Sequence, residues 1–77
     1  MPLIHVYMYS GRDLQTKQNM AMAIAKSAHE VLGAPMQAFT VVIEDVERES
    51  FEEREKAILE PLRDMVIVKR GELVQPT

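Results

Sequence analysis

The sequence predicts a small α+β fold built on one βαβ unit. Residues Leu3 to Tyr9 and Phe39 to Val46 are rich in β-branched and aromatic types, and a segment with helical spacing of apolar residues separates them. Two strands joined by a long helix cannot form a hairpin, so we expect a parallel pair with a right-handed crossover. Residues 2–46 are therefore the predicted core of a single domain that covers residues 1–77.

The predicted helix has a recognisable start and end. Asp13 is a suitable N-cap, and Gly33 can adopt the left-handed conformation that ends a helix. Pro35 then prevents the helix from resuming. Between these ends one apolar stripe recurs at helical spacing and should be buried: Met20, Ile24, Ala28, Val31 and Leu32.

The segment after the second strand is predicted to be a helical extension over residues 50–71. Ser50 and Glu53 form a capping box, which would start a helix at Phe51. Pro61 cannot lie inside one continuous helix without a kink, so it is assigned to the first turn of a second helix.

The end of this extension has two interpretations. Lys69 and Arg70 would lie in the last turn of the second helix, and Gly71 would end it. The β-branched run of residues 66–68 favours a short strand instead. Residues 72–77 are expected to be loose, or to lie as an arm against a partner.

The composition favours an oligomer. The chain has 77 residues and no cysteine, so no disulfide can stabilise it, and a monomer of this size buries only about 60% of its unfolded surface. Yet 47% of its residues are hydrophobic. A lone βαβ unit has one crossover helix for two sheet faces, and both strand edges are open. We therefore expect a homo-oligomer in which two copies join their sheets into four strands.

The same composition argues against several functions. With a net charge of −3 and scattered basic residues, nucleic acid is not an expected partner. No apolar run is long enough to span a membrane and no signal-peptide pattern is present, so a cytoplasmic protein is expected. His5 lies on a strand and His29 on a helix, with no spacing that suits a metal, so neither metal nor cofactor is predicted.

The dipeptide Met1-Pro2 carries the strongest chemical indication. Methionine followed by a small residue is usually removed after synthesis, which would leave Pro2 with a secondary amine as the N-terminus. A free α-amino group has a pKa of about 8, and an apolar site or a neighbouring cation lowers it towards neutral pH. Such an amine suits general acid–base catalysis. A proline that merely shapes the first turn is the alternative.

Several features occur together, in register, over about residues 2–51: Pro2, the strand Leu3–Tyr9, Gly11-Arg12, Leu32-Gly33-Ala34-Pro35, the strand Val41-Val42-Ile43-Glu44, and Phe51. In this combination the chain resembles the 4-oxalocrotonate tautomerase family, small βαβ enzymes that use an N-terminal proline as the catalytic base. The extension with its Pro61 break resembles the longer, PptA-like branch of that family, whose members are often dimers.

The resemblance implies a keto–enol tautomerase, an intramolecular oxidoreductase that interconverts the enol and keto forms of a small substrate. It implies that Pro2 is the proton shuttle. It also implies that Arg12 binds a substrate carboxylate or carbonyl and that the charge of Arg12 stabilises the enolate-like intermediate. Phe51 would form part of the apolar wall. Without the resemblance, Arg12 reads as a surface arginine and Phe51 as a hydrophobic anchor for the tail.

Position 40 departs from the family pattern. Members that process 4-oxalocrotonate carry a second arginine there, whereas Thr40 offers a hydroxyl that can bind a substrate oxygen but supplies no charge. A dicarboxylate would lose one charge-assisted contact, worth about 1.5–3 kcal/mol. We therefore expect a monocarboxylate or an aryl pyruvate enol as substrate, with Arg48, Arg54 and Arg63 as candidates for a replacement charge.

Two questions stay open in the sequence. The same proline could support dehalogenase or hydratase chemistry, and a chain that keeps Met1 would instead be a non-catalytic βαβ oligomeric ligand-binding module. The second question is the size of the assembly. A helical tail packed over the dimer would block the stacking of dimers into a hexamer, so the dimer is favoured.

Overall fold

A computed structural model describes residues 1–75 and confirms the βαβ fold. The core elements, in chain order, are β1 (Leu3–Tyr9), α1 (Leu14–Leu32), a short 3-10 helix (Met36–Ala38) and β2 (Thr40–Val46). The two strands pair in parallel over their full length. Because they are parallel, their amino ends lie together at one end of the sheet and their carboxyl ends at the other.

The ends of α1 are those that the sequence predicts. The side chain of Asp13 accepts a hydrogen bond of 2.8 Å from the backbone N–H of Thr16. Gly33 has a φ of 76°, in the left-handed region, and its N–H donates to the carbonyl oxygen of His29 at 2.9 Å. Both signals act within one turn of the helix, so they do not depend on the rest of the fold.

The predicted apolar stripe of α1 is wrong in its last turn. Ala25 is the buried residue of this helix, whereas Val31 is 85% exposed and Leu32 is 63% exposed. The 19 residues of α1 extend about 28 Å, but the seven-residue strands extend only about 23 Å. The helix is therefore about 5 Å longer than the strands, so the sheet of one chain cannot cover its whole length.

The two faces of the sheet are covered by different helices. On one face, Asp45 of β2 forms an ion pair of 2.9 Å with Lys17 of α1. On the other face, Tyr9 of β1 packs against Phe51 in the second long helix, α2 (Arg48–Leu59). Side chains alternate along a strand, so the odd-numbered residues of β1 face α2 and the even-numbered residues face α1.

The start of α2 corrects the predicted capping box. The helix begins at Arg48, directly after β2, and its N-cap is Glu47, whose side chain makes no capping hydrogen bond. Ser50 therefore lies inside the first turn, where its backbone N–H donates to the carbonyl oxygen of Glu47 at 3.0 Å. Pro61 is in the first turn of a separate 3-10 helix, Glu60–Met65, as the sequence predicts.

The prediction that the helical extension continues to residue 71 is wrong. Residues after the 3-10 helix form a small antiparallel hairpin of β3 (Val68–Lys69) and β4 (Glu72–Leu73). Arg70 and Gly71 form its two-residue turn with φ values of 51° and 80°, the backbone that suits a tight hairpin. The strand alternative for the β-branched run therefore holds at Val68. Of the residues expected to be loose, 76–77 lie outside the described part of the chain.

Few side chains of the described chain are fully covered. Within residues 1–75, only Ala25 and Val46 are buried among the hydrophobic residues, with exposures of 6% and 5%. Large apolar residues are exposed at the amino end of the sheet, on α1 and in the tail, with Leu3 at 68% and Leu73 at 60%. In the same range, no helix combines the length and hydropathy that a membrane crossing would need.

Candidate active site

Pro2 and Thr40 lie side by side at the amino end of the sheet. The carbonyl oxygen of Pro2 accepts a hydrogen bond of 3.1 Å from the backbone N–H of Thr40, and Pro2 is half-buried. Met1 precedes them with its side chain 93% exposed, and its amino group donates to the carbonyl oxygen of Ala38. We refer to Pro2 and Thr40 as the amino-end pair.

Arg12 lies at the opposite end of β1. The six residue steps from Leu3 to Tyr9 extend roughly 20 Å, and Arg12 follows after a turn at Gly11, whose φ is 116°. Its side chain is exposed and forms no ion pair with any residue in the described range. One chain therefore does not bring Arg12 to the Pro2 that it was expected to assist.

Phe51 lies at the same end of the sheet as Arg12. Its ring meets the ring of Tyr9 edge-to-face, with centroids 4.8 Å apart and an angle of 79° between the planes. Tyr9 is the last residue of β1, so Phe51 is also separated from Pro2 by the length of that strand. We refer to Arg12 and Phe51 as the carboxyl-end pair.

A small cavity of about 170 Å³ lies between α2 and the sheet. Its lining comes from β1 and α2 and comprises Tyr7, Phe51, Arg54, Glu55, Ile58 and Leu59. Of the four predicted site residues, only Phe51 reaches it. Phe51 thus lines this cavity, and its role as part of an apolar substrate-binding wall stays a prediction.

A hydrogen-bonded network crosses the sheet face beneath α2. Glu44 accepts from Arg54 at 2.6 Å and contacts Nε2 of His5 at 3.0 Å. The ring of His5 stacks on Tyr7 with centroids 4.3 Å apart. The hydrogen bond from Arg54, reinforced by His5, holds the pKa of Glu44 below its ordinary value of 4.5. This network ties α2 to the strands and pairs the charge of Arg54 with the carboxylate of Glu44.

Arg48 is a further cation at the carboxyl end of the sheet. Its guanidinium carbon lies 4.3 Å from the centroid of the Tyr9 ring, and Tyr9 also contacts Phe51. A guanidinium over an aromatic face is a cation–π arrangement. The side chain of Arg48 is exposed and has no ion-pair partner among residues 1–75.

Two larger clefts lie in the tail, away from all four predicted site residues. Their volumes are about 460 and 640 Å³, and both are lined by the end of α2, the 3-10 helix and the hairpin, including Leu59, Arg63, Val66 and Lys69. Size alone does not make them the reaction site.

The histidines have structural contacts. Nδ1 of His29 lies within hydrogen-bond distance of the carbonyl oxygen of Ala34, which ties the end of α1 to the loop after it. His5 belongs to the network with Glu44. Across the described residues, no group of three or more histidine and carboxylate side chains is arranged to hold a metal ion.

The sequence identified individual residues of these clusters without their grouping. Alternation along β1 indicates that His5, Tyr7 and Tyr9 share one face, and only the register of β2 places Glu44 opposite Tyr7. The sequence named Arg48 only as one of three candidates for a replacement charge and did not place it. Arg48 follows β2 by two residues and Arg12 follows β1 by three, which becomes apparent once both strand ends are known.

The chain belongs to the tautomerase enzyme family, whose model matches residues 2–52. The match covers the βαβ core and the first five residues of α2, two thirds of the chain, and starts at Pro2. No curated protein and no solved structure matches the chain. Membership indicates an isomerase of the tautomerase type, in a family whose members act on small substrates and are typically oligomeric.

Proposed function

We propose that the chain, after removal of Met1, is a keto–enol tautomerase in which Pro2 is the general base and acid. The support is chemical and positional. Met1 is 93% exposed, so a processing enzyme can reach it, and the family match begins at Pro2. With Met1 attached, the nitrogen of Pro2 is an amide and has no basicity. Once freed, it is a secondary amine in a rigid ring.

The reaction moves one proton between two atoms of the substrate. The neutral amine of Pro2 accepts the proton of the enol O–H, which leaves an enolate and a protonated amine. The protonated amine then gives that proton to the enol carbon, the double bond shifts from C=C to C=O, and the amine is neutral again. A neighbouring cation stabilises the negative charge on the enolate oxygen and favours the neutral amine at rest.

The observation that carries this proposal furthest is the tautomerase family match over residues 2–52, which starts at Pro2. The separation of Pro2 and Arg12 by the whole length of β1 then constrains how the site is assembled. A small substrate cannot bridge roughly 20 Å. If Arg12 holds the substrate, it must come from a second copy. A complete site therefore combines the amino-end pair of one copy with the carboxyl-end pair of another.

The free edge of β1 is the edge that achieves this combination. If two copies pair antiparallel through β1, Pro2 of one copy lies about one strand spacing, or 5 Å, from the end of β1 in the other. Pairing through β2 would leave them three spacings, or about 14 Å, apart. Pairing through β1 also buries part of the apolar surface that a single chain exposes.

The side chains of the combined site suit a small enol with one carboxylate. Thr40 offers a hydroxyl at the amino end of the sheet, where Pro2 lies, and Phe51 offers an apolar ring at the carboxyl end, where Arg12 lies. An aryl pyruvate enol fits this arrangement, because its ring can lie against an aromatic side chain while its carboxylate meets a guanidinium. We place the chain near the longer, dimeric PptA-like branch of the family, with α2 and the tail packed outside the four-stranded sheet.

Replacement of Pro2 by alanine tests the assignment. In a correctly processed Pro2→Ala protein a primary amine takes the place of the secondary one, and kcat/KM for phenylenolpyruvate should fall about 100-fold or more. Mass spectrometry of each preparation confirms that Met1 is absent. Near wild-type activity in the processed variant would refute Pro2 as the base.

One observation favours a second candidate function. In the chain that bears Met1, the methionine amino group is hydrogen-bonded to Ala38, so the extended N-terminus has a place in the fold. A chain that keeps Met1 would be a non-catalytic oligomeric module that binds small ligands. Intact-mass measurement on protein from its own host separates the two functions, because full retention of Met1 supports the module.

A further inference from the structure

We propose that Arg48 is a substrate-binding residue that holds an anionic group, and that it supplies the positive charge that Thr40 lacks. This inference rests on the proposed function, since it concerns the same combined site. It extends the substrate class to small enols that carry a second carboxylate, in addition to those with a single one.

Three arginines were candidates for this role, and the structure distinguishes them. Arg54 is paired with Glu44 at 2.6 Å, and Arg63 is paired with Glu60 at 3.3 Å. The charge of each is already opposed by a carboxylate. Arg48 has no such partner in the described part of the chain, so its charge is free to meet a ligand.

The position of Arg48 matches that of the carboxyl-end pair. The last link between the strands is the hydrogen bond from the N–H of Ser10 to the carbonyl oxygen of Val46, at 3.0 Å. Arg12 and Arg48 each follow two residues after this link, one on each chain segment that leaves the sheet. Both arginines therefore lie at the end of the sheet that a second copy would present to Pro2.

Tyr9 orients the guanidinium of Arg48. The ring of Tyr9 has its face towards Arg48 at 4.3 Å and contacts Phe51 edge-to-face at 4.8 Å. A guanidinium held over an aromatic ring keeps its N–H donors at the rim, where they can bind both oxygens of a carboxylate. Arg48, Tyr9 and Phe51 thus combine an anion-binding group with an apolar platform for the substrate chain.

The test compares two enols of equal length, one with a distal carboxylate and one with the methyl ester of that carboxylate. In processed Arg48→Gln protein, the ratio of kcat/KM for the dianion to that for the ester should fall about 10- to 100-fold, the usual range for a charge-assisted hydrogen bond. Arg48→Lys should restore part of the ratio, because it keeps the charge and loses the planar fork. Arg63→Gln is the matched control and should leave the ratio unchanged.

Several outcomes would overturn the inference. An unchanged ratio in Arg48→Gln, with Pro2-dependent activity intact, removes Arg48 from the site and leaves the proposed function standing. An equal loss for both substrates, together with a lower Tm, indicates that Arg48 only supports Tyr9 and Phe51. If the processed wild-type protein ketonises neither enol, the proposed function fails. The anion site at Arg48 is then tested separately, by calorimetry with an inert saturated dicarboxylate. Binding weakened by Arg48→Gln supports the anion site, and equal or absent binding refutes it.

Discussion

The backbone N–H of Thr40 donates a 3.1 Å hydrogen bond to the carbonyl oxygen of Pro2, so the first residue of β2 is tied directly to the proposed base. This bond uses main-chain atoms alone. The hydroxyl of Thr40 is therefore available to a ligand, because the side chain is exposed and makes no side-chain hydrogen bond within residues 1–75.

Replacing Thr40 by valine should lower kcat/KM for a carboxylate enol about 2- to 10-fold, the range for one neutral hydrogen bond. Valine keeps the branched shape and the backbone bond to Pro2, so the fold should be unaffected. Thr40→Ser retains the hydroxyl and should keep most of the activity. Equal activity in the valine and wild-type proteins would show that the hydroxyl does not touch the substrate.

Mixing two inactive variants tests whether the site is shared between copies. Co-expression of Pro2→Ala and Arg12→Gln chains should restore about one quarter of wild-type activity, because half of the dimers are mixed and each holds one intact site. Each variant expressed by itself should stay inactive. No recovery in a mixture whose subunits are shown to have exchanged would place both residues in one chain's own site, which the geometry of β1 opposes.

Sedimentation at micromolar concentration should give a species of twice the 8.8 kDa chain mass. The physical reason is the open edge of β1 and the exposed apolar surface, which a two-fold pairing covers for both copies at once. A hexamer would refute only the proposal that α2 and the tail limit assembly. A stable folded monomer would refute the shared site.

Acid should weaken the contact between α2 and the sheet. The hydrogen bond from Arg54 lowers the pKa of Glu44 in the folded chain, so this contribution to stability is present above about pH 4.5 and is lost as the pH falls through the folded value. Urea unfolding between about pH 3 and pH 6 should therefore show less pH dependence in Glu44→Gln. Glu52→Gln, on the exposed side of α2, is the control and should keep the wild-type slope.

The hairpin turn offers a stability test based on backbone conformation alone. Gly71 has a φ of 80°, and a Cβ added there would meet nothing within 4 Å, so Gly71→Ala should cost about 1 kcal/mol through strain only. Arg70 has a φ of 51°, and asparagine tolerates this region better than arginine does. Arg70→Asn should therefore stabilise the protein. Thermal unfolding followed by circular dichroism measures both changes. Gly71→Ala is expected to lower the Tm and Arg70→Asn is expected to raise it.

Local signals in this sequence predicted local structure well. Asp13 and Gly33 delimit α1 because each acts on backbone groups within one turn. Gly71 misled the prediction for the same physical reason, since a positive φ serves both the end of a helix and a tight hairpin. The neighbouring Arg70 did not indicate a hairpin turn, because an arginine rarely adopts the positive φ that it has here.

The site was less predictable, because its grouping depends on long-range register. The sequence pattern supplies Pro2, Arg12, Thr40 and Phe51 as candidates, but the distance between them follows from the parallel pairing of β1 with β2. The capping-box prediction failed at Ser50 because Glu47 and Arg48 start the helix earlier, directly from the end of β2. That early start is also what places Arg48 over Tyr9.

The length of β1 has a consequence for how the rate depends on the amount of protein. If each site needs Pro2 from one copy and Arg12 from another, a dissociated chain carries two incomplete halves and turns over nothing. Well below the dissociation constant, dimers form in proportion to the square of the total chain concentration, and the rate should follow the same square law. Dilution alone would then silence the enzyme, and accumulation would activate it without any effector.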